Sequence, residues 1–277
     1  MKKKRSFLWG SVLTLALASV VVLGGGFFLA LTQTGDVTSS LPAAEAPAGQ
    51  DVQPTVATDA KGADSNLIVA IGDSLTKGVG DTSGKGYVGN LKSRLEASGQ
   101  QVQVQNLGIS GLESAELAKS VQNPGVQQYF HDAKLIMVSI GGNDITHSIG
   151  GVDKIINLKS IDEAAILATQ KEYTKNVEQV LTTIRKSNQK APIIILGLYN
   201  PFEGLFEDQG ASEQLLLGWN DNLRQLAQSF QQVKVVPMFD LFQWNNDSLL
   251  SFDHFHPNNE GYDRMAERIF NSLPKSK

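Results

Sequence analysis

The chain has 277 residues, no cysteine, 41% hydrophobic and 19% charged residues, and a formal net charge of −4. Ordinary apolar content excludes a wholly disordered chain. The missing cysteines exclude a disulfide scaffold, a cysteine nucleophile, thiolate-held zinc and a lipidated cysteine anchor.

The amino terminus opens with Lys2, Lys3, Lys4 and Arg5. Without these four, 20 basic residues face 28 acidic ones, a net of −8. That sign disfavours a protein that tracks phosphate backbones, so no nucleic-acid partner is expected. Phe7 to Leu31 is a run of 25 residues without a charge. At about 1.5 Å per residue, a helix of this length passes the roughly 30 Å hydrocarbon core of a bilayer. The basic cluster before it predicts a cytoplasmic tip over 1–6, a membrane anchor over 7–31 and export of the remaining chain. Secretion after cleavage is the alternative. A signal peptide, however, has an apolar stretch of about 7–15 residues and then a small-x-small site. The triplet Ala46–Pro47–Ala48 lies far downstream and has proline in its middle. Residues 32–64 are rich in Ala, Thr, Gln, Asp and Pro and have no period, which predicts a solvated tether. One domain is expected over 65–277.

Within that domain, apolar runs at Asn66–Ile71, Lys134–Ile140, Pro192–Leu198 and Val233–Phe239, with an alternating run at Val102–Leu107, predict five strands. Helical spacing predicts helices over Tyr87–Ala97, Leu112–Val121, Ile161–Arg185, Leu215–Phe230 and Glu260–Leu273. Strands alternating with helices imply an α/β fold: a parallel sheet covered on both faces. Right-handed crossovers then bring every strand's carboxyl end to one edge, where ligands bind.

Four polar segments are expected at that edge: Gly72–Asp73–Ser74–Leu75–Thr76, Asn106 to Gly111, Gly141–Gly142–Asn143–Asp144, and Asp253 to Asn258. Together they can perform acyl transfer. Ser74 is a poor nucleophile until a base takes its proton. His256 is the candidate base, and Asp253 can hold its other ring nitrogen. The backbone N–H groups of Ser74 and Gly111 and the side-chain amide of Asn143 are candidate donors to an oxyanion. Gly108 is a second candidate for the glycine. Asp73 and Asp144 are expected to orient the loops through backbone hydrogen bonds.

Gly-Asp-Ser-Leu, the later glycine, Gly-x-Asn-Asp and Asp-x-x-His-Pro, in this order, resemble the GDSL or SGNH hydrolases over roughly residues 65–275. The stretch Gly72–Tyr87 is similar to their bacterial lysophospholipase- and thioesterase-like branch. The resemblance implies a flavodoxin-like three-layer α/β/α domain and a serine nucleophile on Ser74. It also implies an Asp253–His256 pair, oxyanion roles for Ser74, Gly111 and Asn143, and no metal or cofactor. It points to a membrane-anchored lipase-like acylhydrolase taking lipid or lysophospholipid-like esters. The alternatives are removal or transfer of O-acetyl groups on wall carbohydrate, or non-catalytic binding of a wall polymer or lipid. A non-catalytic relative is expected to lose some of the five positions, and all five are present. No obligate protein partner is expected.

An α/β-hydrolase elbow is excluded, because Gly-x-Ser-x-Gly is required and residue 76 is Thr. His254 is the rival to His256; the spacing to Asp253 and the following Pro257 favour His256. His131 and His147 are expected on the surface. Gly78, Gly80, Gly84 and Gly86 lack a P-loop ending and are expected to form a flexible rim. Ile145–Ser160 and Tyr199–Gly210, the latter with Phe202, Leu205 and Phe206, are expected as loops beside the site. Trp219 and Trp244 leave sugar stacking open.

Overall fold

The computed structural model describes residues 66–151, 162–204 and 209–274. The expected tip, anchor and tether (1–6, 7–31 and 32–64) lie outside the described residues. The five expected strands are present as β1 (Leu67–Gly72), β2 (Gln103–Gly108), β3 (Ala133–Ser139), β4 (Ile193–Leu196) and β5 (Val233–Val236). They pair in the order β2-β1-β3-β4-β5, and every pairing is parallel.

Alternation along each central strand divides the core. Val69, Ile71, Ile136, Val138, Ile193 and Ile195 bury one face. Against it pack α3 (Ser114–Ser120), α4 (Pro124–Asp132), α6 (Glu163–Ser187) and α7 (Gln209–Gln228). Ile68, Ala70, Leu135, Met137, Ile194 and Leu196 bury the other, under α2 (Gly86–Ala97) and α10 (Asn259–Ser272). The expected three layers result. The long helix α6 lays Tyr173, Val177, Val180, Leu181 and Ile184 on the sheet, as its sequence period requires. Strand β2 departs from the expected burial on both faces: it is an edge strand, and Gln103 and Asn106 are exposed.

Both shortened strands have a local cause. The run Pro192–Leu198 leaves the sheet after Leu196, because the Asn220 side chain takes the Leu198 N–H at 2.8 Å and its carbonyl at 2.9 Å. The run to Phe239 stops at Val236, since Pro237 has no N–H to give the ladder. Five further helices are not expected from the periodicity: α1 (Ser74–Lys77), α4, α5 (Gly142–Ser148), α8 (Phe239–Phe242) and α9 (Asn246–Leu249). Most are one or two turns, too short for a hydrophobic period. The start of α4 is nonetheless written in the chain. Asn123 caps it by accepting the Gly125 N–H, and Pro124 stands in the first turn.

The chain leaves β1 toward β2 on one side and returns to β3 on the other. The carboxyl ends of β1 and β3 therefore flank the point where strand order reverses, the usual place for a crevice. Ser74 comes after the first of these strands and Asn143 after the second.

Candidate active site

Ser74 is the first residue of α1. Asp73 caps that short helix, accepting the Leu75 N–H at 3.0 Å. The Asp73 carboxyl is buried and also accepts the Ser139 hydroxyl at 2.6 Å. Ser139 Oγ in turn lies 2.7 Å from Thr76 Oγ1, which is 2.7 Å from the Tyr87 hydroxyl. This buried line of hydroxyls ties the turn after β1 to the end of β3 and to α2. Burial raises the Asp73 pKa, while Ser139, the Leu75 N–H and the nearby His256 oppose the rise.

Asp253 and His256 sit on a loop closed by an antiparallel bridge between Leu250 and Pro257. Asp253 Oδ1 accepts the Ser251 hydroxyl at 2.7 Å and the N–H groups of Phe255 and His256 at 3.0 and 2.9 Å. Its Oδ2 lies 2.7 Å from His256 Nδ1. Burial alone would raise this carboxyl; hydrogen bonds from His256 and Ser251 outweigh it and hold Asp253 well below the usual carboxylate range. On the other side of the ring, His256 Nε2 lies 2.8 Å from Ser74 Oγ. Residues 182 positions apart thus meet in one hydrogen-bonded line. His254, the rival base, is exposed.

Asn143 lines the same cavity as Ser74. Asn143 Nδ2 gives one hydrogen to the Leu112 carbonyl at 2.9 Å, which fixes the amide and leaves its second hydrogen. Asp144 is buried and accepts the Ser114 N–H at both oxygens and the Ser114 hydroxyl at 2.5 Å. That bond clamps the start of α5 to the start of α3, and so sets Asn143 against the loop that carries Gly111. The Ser114 hydroxyl also receives the Asn176 amide at 3.0 Å. Burial raises the Asp144 pKa, opposed by Ser114. Gly111 has φ +79°, and a Cβ built there meets nothing within 4 Å. Gly108 differs: its N–H is taken by Asn106 at 2.9 Å, and a Cβ there would lie 2.3 Å from the Lys77 nitrogen. Of the two candidate glycines, only Gly111 has open space where a Cβ would stand.

A model of the GDSL-like Lipase/Acylhydrolase family matches residues 70–264. The chain belongs to this family. It is a GDSL-type hydrolase. It is 32% identical over 213 residues to the uncharacterized protein YpmR of Bacillus subtilis, covering 76% of this chain and 82% of that one. It is 30% identical over 206 residues to the spore germination lipase LipC of Bacillus licheniformis, covering 72% and 92%. Among solved structures it is similar to the lipase Lip_vut3 from a goat rumen metagenome, at 28% identity and a TM-score of 0.65 over 74% of this chain and 96% of that one. The acetylxylan esterase Axe2 of Geobacillus stearothermophilus shares the fold, at 19% identity and a TM-score of 0.56, covering 76% and 97%.

Beside Ser74 this GDSL hydrolase has a cavity of about 110 Å³. Ile140, Ile145, Ile149, Leu215 and Leu216 form much of its wall, with Trp219 among the lining residues. A void of that order suits a short apolar group. The expected loops contribute in altered form. Ile145 and Thr146 belong to helix α5 rather than to a loop, and Ile149 caps it. Tyr199 to Phe202 line the cavity, α7 starts as early as Gln209, and Leu205 and Phe206 lie outside the described residues. Trp219 is buried with its ring 5.0 Å from that of Tyr173, so it offers no surface for stacking a sugar.

The glycine stretch 78–86 is not the flexible rim expected. Asp81 accepts the Ser83 and Gly86 N–H groups, both at 2.7 Å, and closes the loop on itself. Tyr262 donates to the Val79 carbonyl at 2.7 Å, and Asn259 receives the Thr82 N–H at 2.9 Å. Gly80, at φ +95°, lies against the histidine loop: a Cβ there would be 2.4 Å from the Pro257 carbonyl oxygen and 3.0 Å from His256 Cβ. Tyr199 supports the same loop from the other side, donating to the Phe255 carbonyl at 2.6 Å. Sequence reasoning misses Gly80, Tyr199 and Tyr262 as supports of His256, because each acts through chain-distant packing. His131 and His147 are exposed as expected, beside Asp132 and Glu113 respectively.

Proposed function

We propose that this chain is a serine esterase that cleaves lipid-like carboxylic esters, lysophospholipids among them, through an acyl-enzyme on Ser74. The observation that supports it most is the line from Asp253 through His256 to Ser74 Oγ, at 2.7 and 2.8 Å, beside an apolar cavity. As Ser74 Oγ bonds to the ester carbonyl carbon, His256 Nε2 takes its proton. Asp253, ionised, accepts the Nδ1 hydrogen and stabilises the imidazolium. The carbonyl oxygen becomes an oxyanion facing the N–H groups of Ser74 and Gly111 and the free amide hydrogen of Asn143. The intermediate collapses, the bond to the alcohol breaks, and the alcohol leaves with the proton from His256. Water then attacks the acyl group, giving its proton to His256. Ser74 regains a proton as the acid departs. The first methylenes of the acyl chain occupy the cavity.

Residues 7–31 hold the chain in the cell membrane, with 1–6 cytoplasmic and 32–64 tethering the 65–277 domain outside. The support is the uncharged run and the basic cluster before it. Among the described residues no helix is long and apolar enough to cross a membrane.

The test is Ser74→Ala. Hydrolysis of p-nitrophenyl esters and labelling by a fluorophosphonate should both vanish. Labelling that persists on another serine defeats the assignment. In the same assay, a profile confined to acetyl groups on carbohydrate replaces the lipid reading with an O-acetylesterase.

A further inference from the structure

Three large apolar side chains stand in solvent on segments that adjoin the site residues or the cavity wall. Phe252 is 92% exposed, Trp244 80% and Ile109 49%. Phe252 immediately precedes Asp253. Ile109 comes directly after β2, and its N–H bonds the Gly72 carbonyl at 2.9 Å, two residues before Ser74. The Trp244 N–H bonds Glu203 at 2.9 Å. The neighbouring Phe202 lines the cavity and lies 5.8 Å, ring to ring, from Phe255. Three separate segments therefore bring an exposed apolar group to the neighbourhood of the same cavity.

Packing gives no account of Trp244. It sits at φ +64°, a backbone region that bulky L-residues rarely adopt, yet most of its side chain touches nothing. Strain of this kind clusters at functional sites. Single exposed apolar residues are ordinary, but a group beside a site marks an interaction face.

We infer that Phe252, Trp244 and Ile109 form a docking edge for the surface of a zwitterionic lipid aggregate, so that the ester is drawn from the lipid–water interface. This rests on the lipid-ester reading of the site. The mixture of residues favours that occupant: indole settles at headgroup depth, while phenyl and aliphatic groups reach the acyl boundary. Sugar rings would instead ask for polar side chains around their hydroxyls, and Phe252 and Ile109 supply none. Charge selects the kind of lipid. The chain is net negative, and Glu203, Asp247 and Asp253 belong to the segments that carry the aromatic groups. An anionic surface is disfavoured, and a phosphocholine surface is not.

The experiment uses the full chain with phosphatidylcholine vesicles in which part of the lipid carries brominated acyl chains. Bromine should quench tryptophan emission, and Trp244→Phe should remove that part of the quenching. Trp9 is common to both proteins and cancels in the difference. The double variant W244S/F252S should hydrolyse a long-chain ester dispersed in the vesicles at least about tenfold more slowly. Its rate on dissolved p-nitrophenyl acetate should stay within about twofold of the parent. Equal losses on both esters, no quenching assignable to Trp244, or retention on wall polysaccharide in place of vesicles each overturn the inference. Quenching that persists in Ser74→Ala supports docking independently of chemistry. Quenching by a parent protein that turns over no ester overturns the esterase reading and leaves docking in place.

Discussion

Gly80→Ala tests how the histidine is held. The new Cβ would sit 2.4 Å from the Pro257 carbonyl oxygen, 3.0 Å from His256 Cβ and 3.1 Å from Ser251 Oγ. Ordinary contact begins near 3.4 Å, so the histidine loop must retreat by about 1 Å. Alanine at φ +95° adds strain of about 1–2 kcal/mol. A displacement of this size at a reacting pair costs on the order of 10²-fold in rate. Gly84→Ala is the control: it shares a positive φ, +72°, but its Cβ meets nothing within 4 Å. Both variants should lose about 2–8 °C in melting temperature from backbone strain. Only Gly80→Ala should lose kcat on p-nitrophenyl acetate, by about 10²-fold. Initial rates and thermal melts on the two purified variants give the answer. Equal kcat values for both would refute the claim that Gly80 positions His256.

Asn143→Ala should lower kcat about 10²–10³-fold with little change in KM, measured by initial rates, because its amide is needed only as the oxyanion forms. Leu215→Trp should fill the cavity. Hydrolysis of a hexanoyl ester should then fall about 10²-fold relative to the acetyl ester, since four methylenes at about 0.8 kcal/mol each lose their burial. Asp144→Asn should change the pH dependence of stability. The folded Asp144 pKa is raised, so its contribution is fully present below the unfolded value near 4 and is lost as pH rises through the folded value. The melting temperature of Asp144→Asn should therefore gain on that of the parent as pH rises above about 4; a difference that stays constant with pH would contradict the assignment.

The sheet was legible from its apolar runs, and three of the four site segments because the runs of β1, β2 and β3 end in polar, glycine-bearing turns that parallel topology sends to one edge. The Asp-x-x-His spacing was legible for a related reason: both residues lie within one loop, so no long-range contact had to be foreseen. Gly80 was not legible. Its role depends on the Pro257 carbonyl oxygen, far along the chain, and among several nearby glycines nothing local marks it. Thr76 shows the same limit. In sequence it only broke the elbow pattern, whereas in the fold its hydroxyl lies within hydrogen-bonding distance of those of Tyr87 and Ser139. The short helix α5 was hidden because two turns cannot display a period, although its first residues were already candidates for chemistry.

Four aspartates hold these loops, and their environments divide them. Asp253 and Asp81 are each opposed by burial, yet side-chain and backbone hydrogen bonds bring both below the ordinary range. Their contributions are present above the unfolded pKa near 4 and are lost as pH falls through the folded values. Asp73 and Asp144 are more deeply buried and are raised, despite hydroxyl partners in Ser139 and Ser114. Their contributions run the other way. Asp81 only closes its own turn, so a lowered carboxyl does not by itself mark the proton-transfer line. A group that must stay ionised to stabilise an imidazolium is surrounded by donors on a partly exposed loop. A group that only ties turns together can tolerate desolvation beneath the site. On this argument Asp253 is the carboxylate suited to the proton-transfer line, and Asp73, though nearer to Ser74 in sequence, is suited to shaping the turn that presents it.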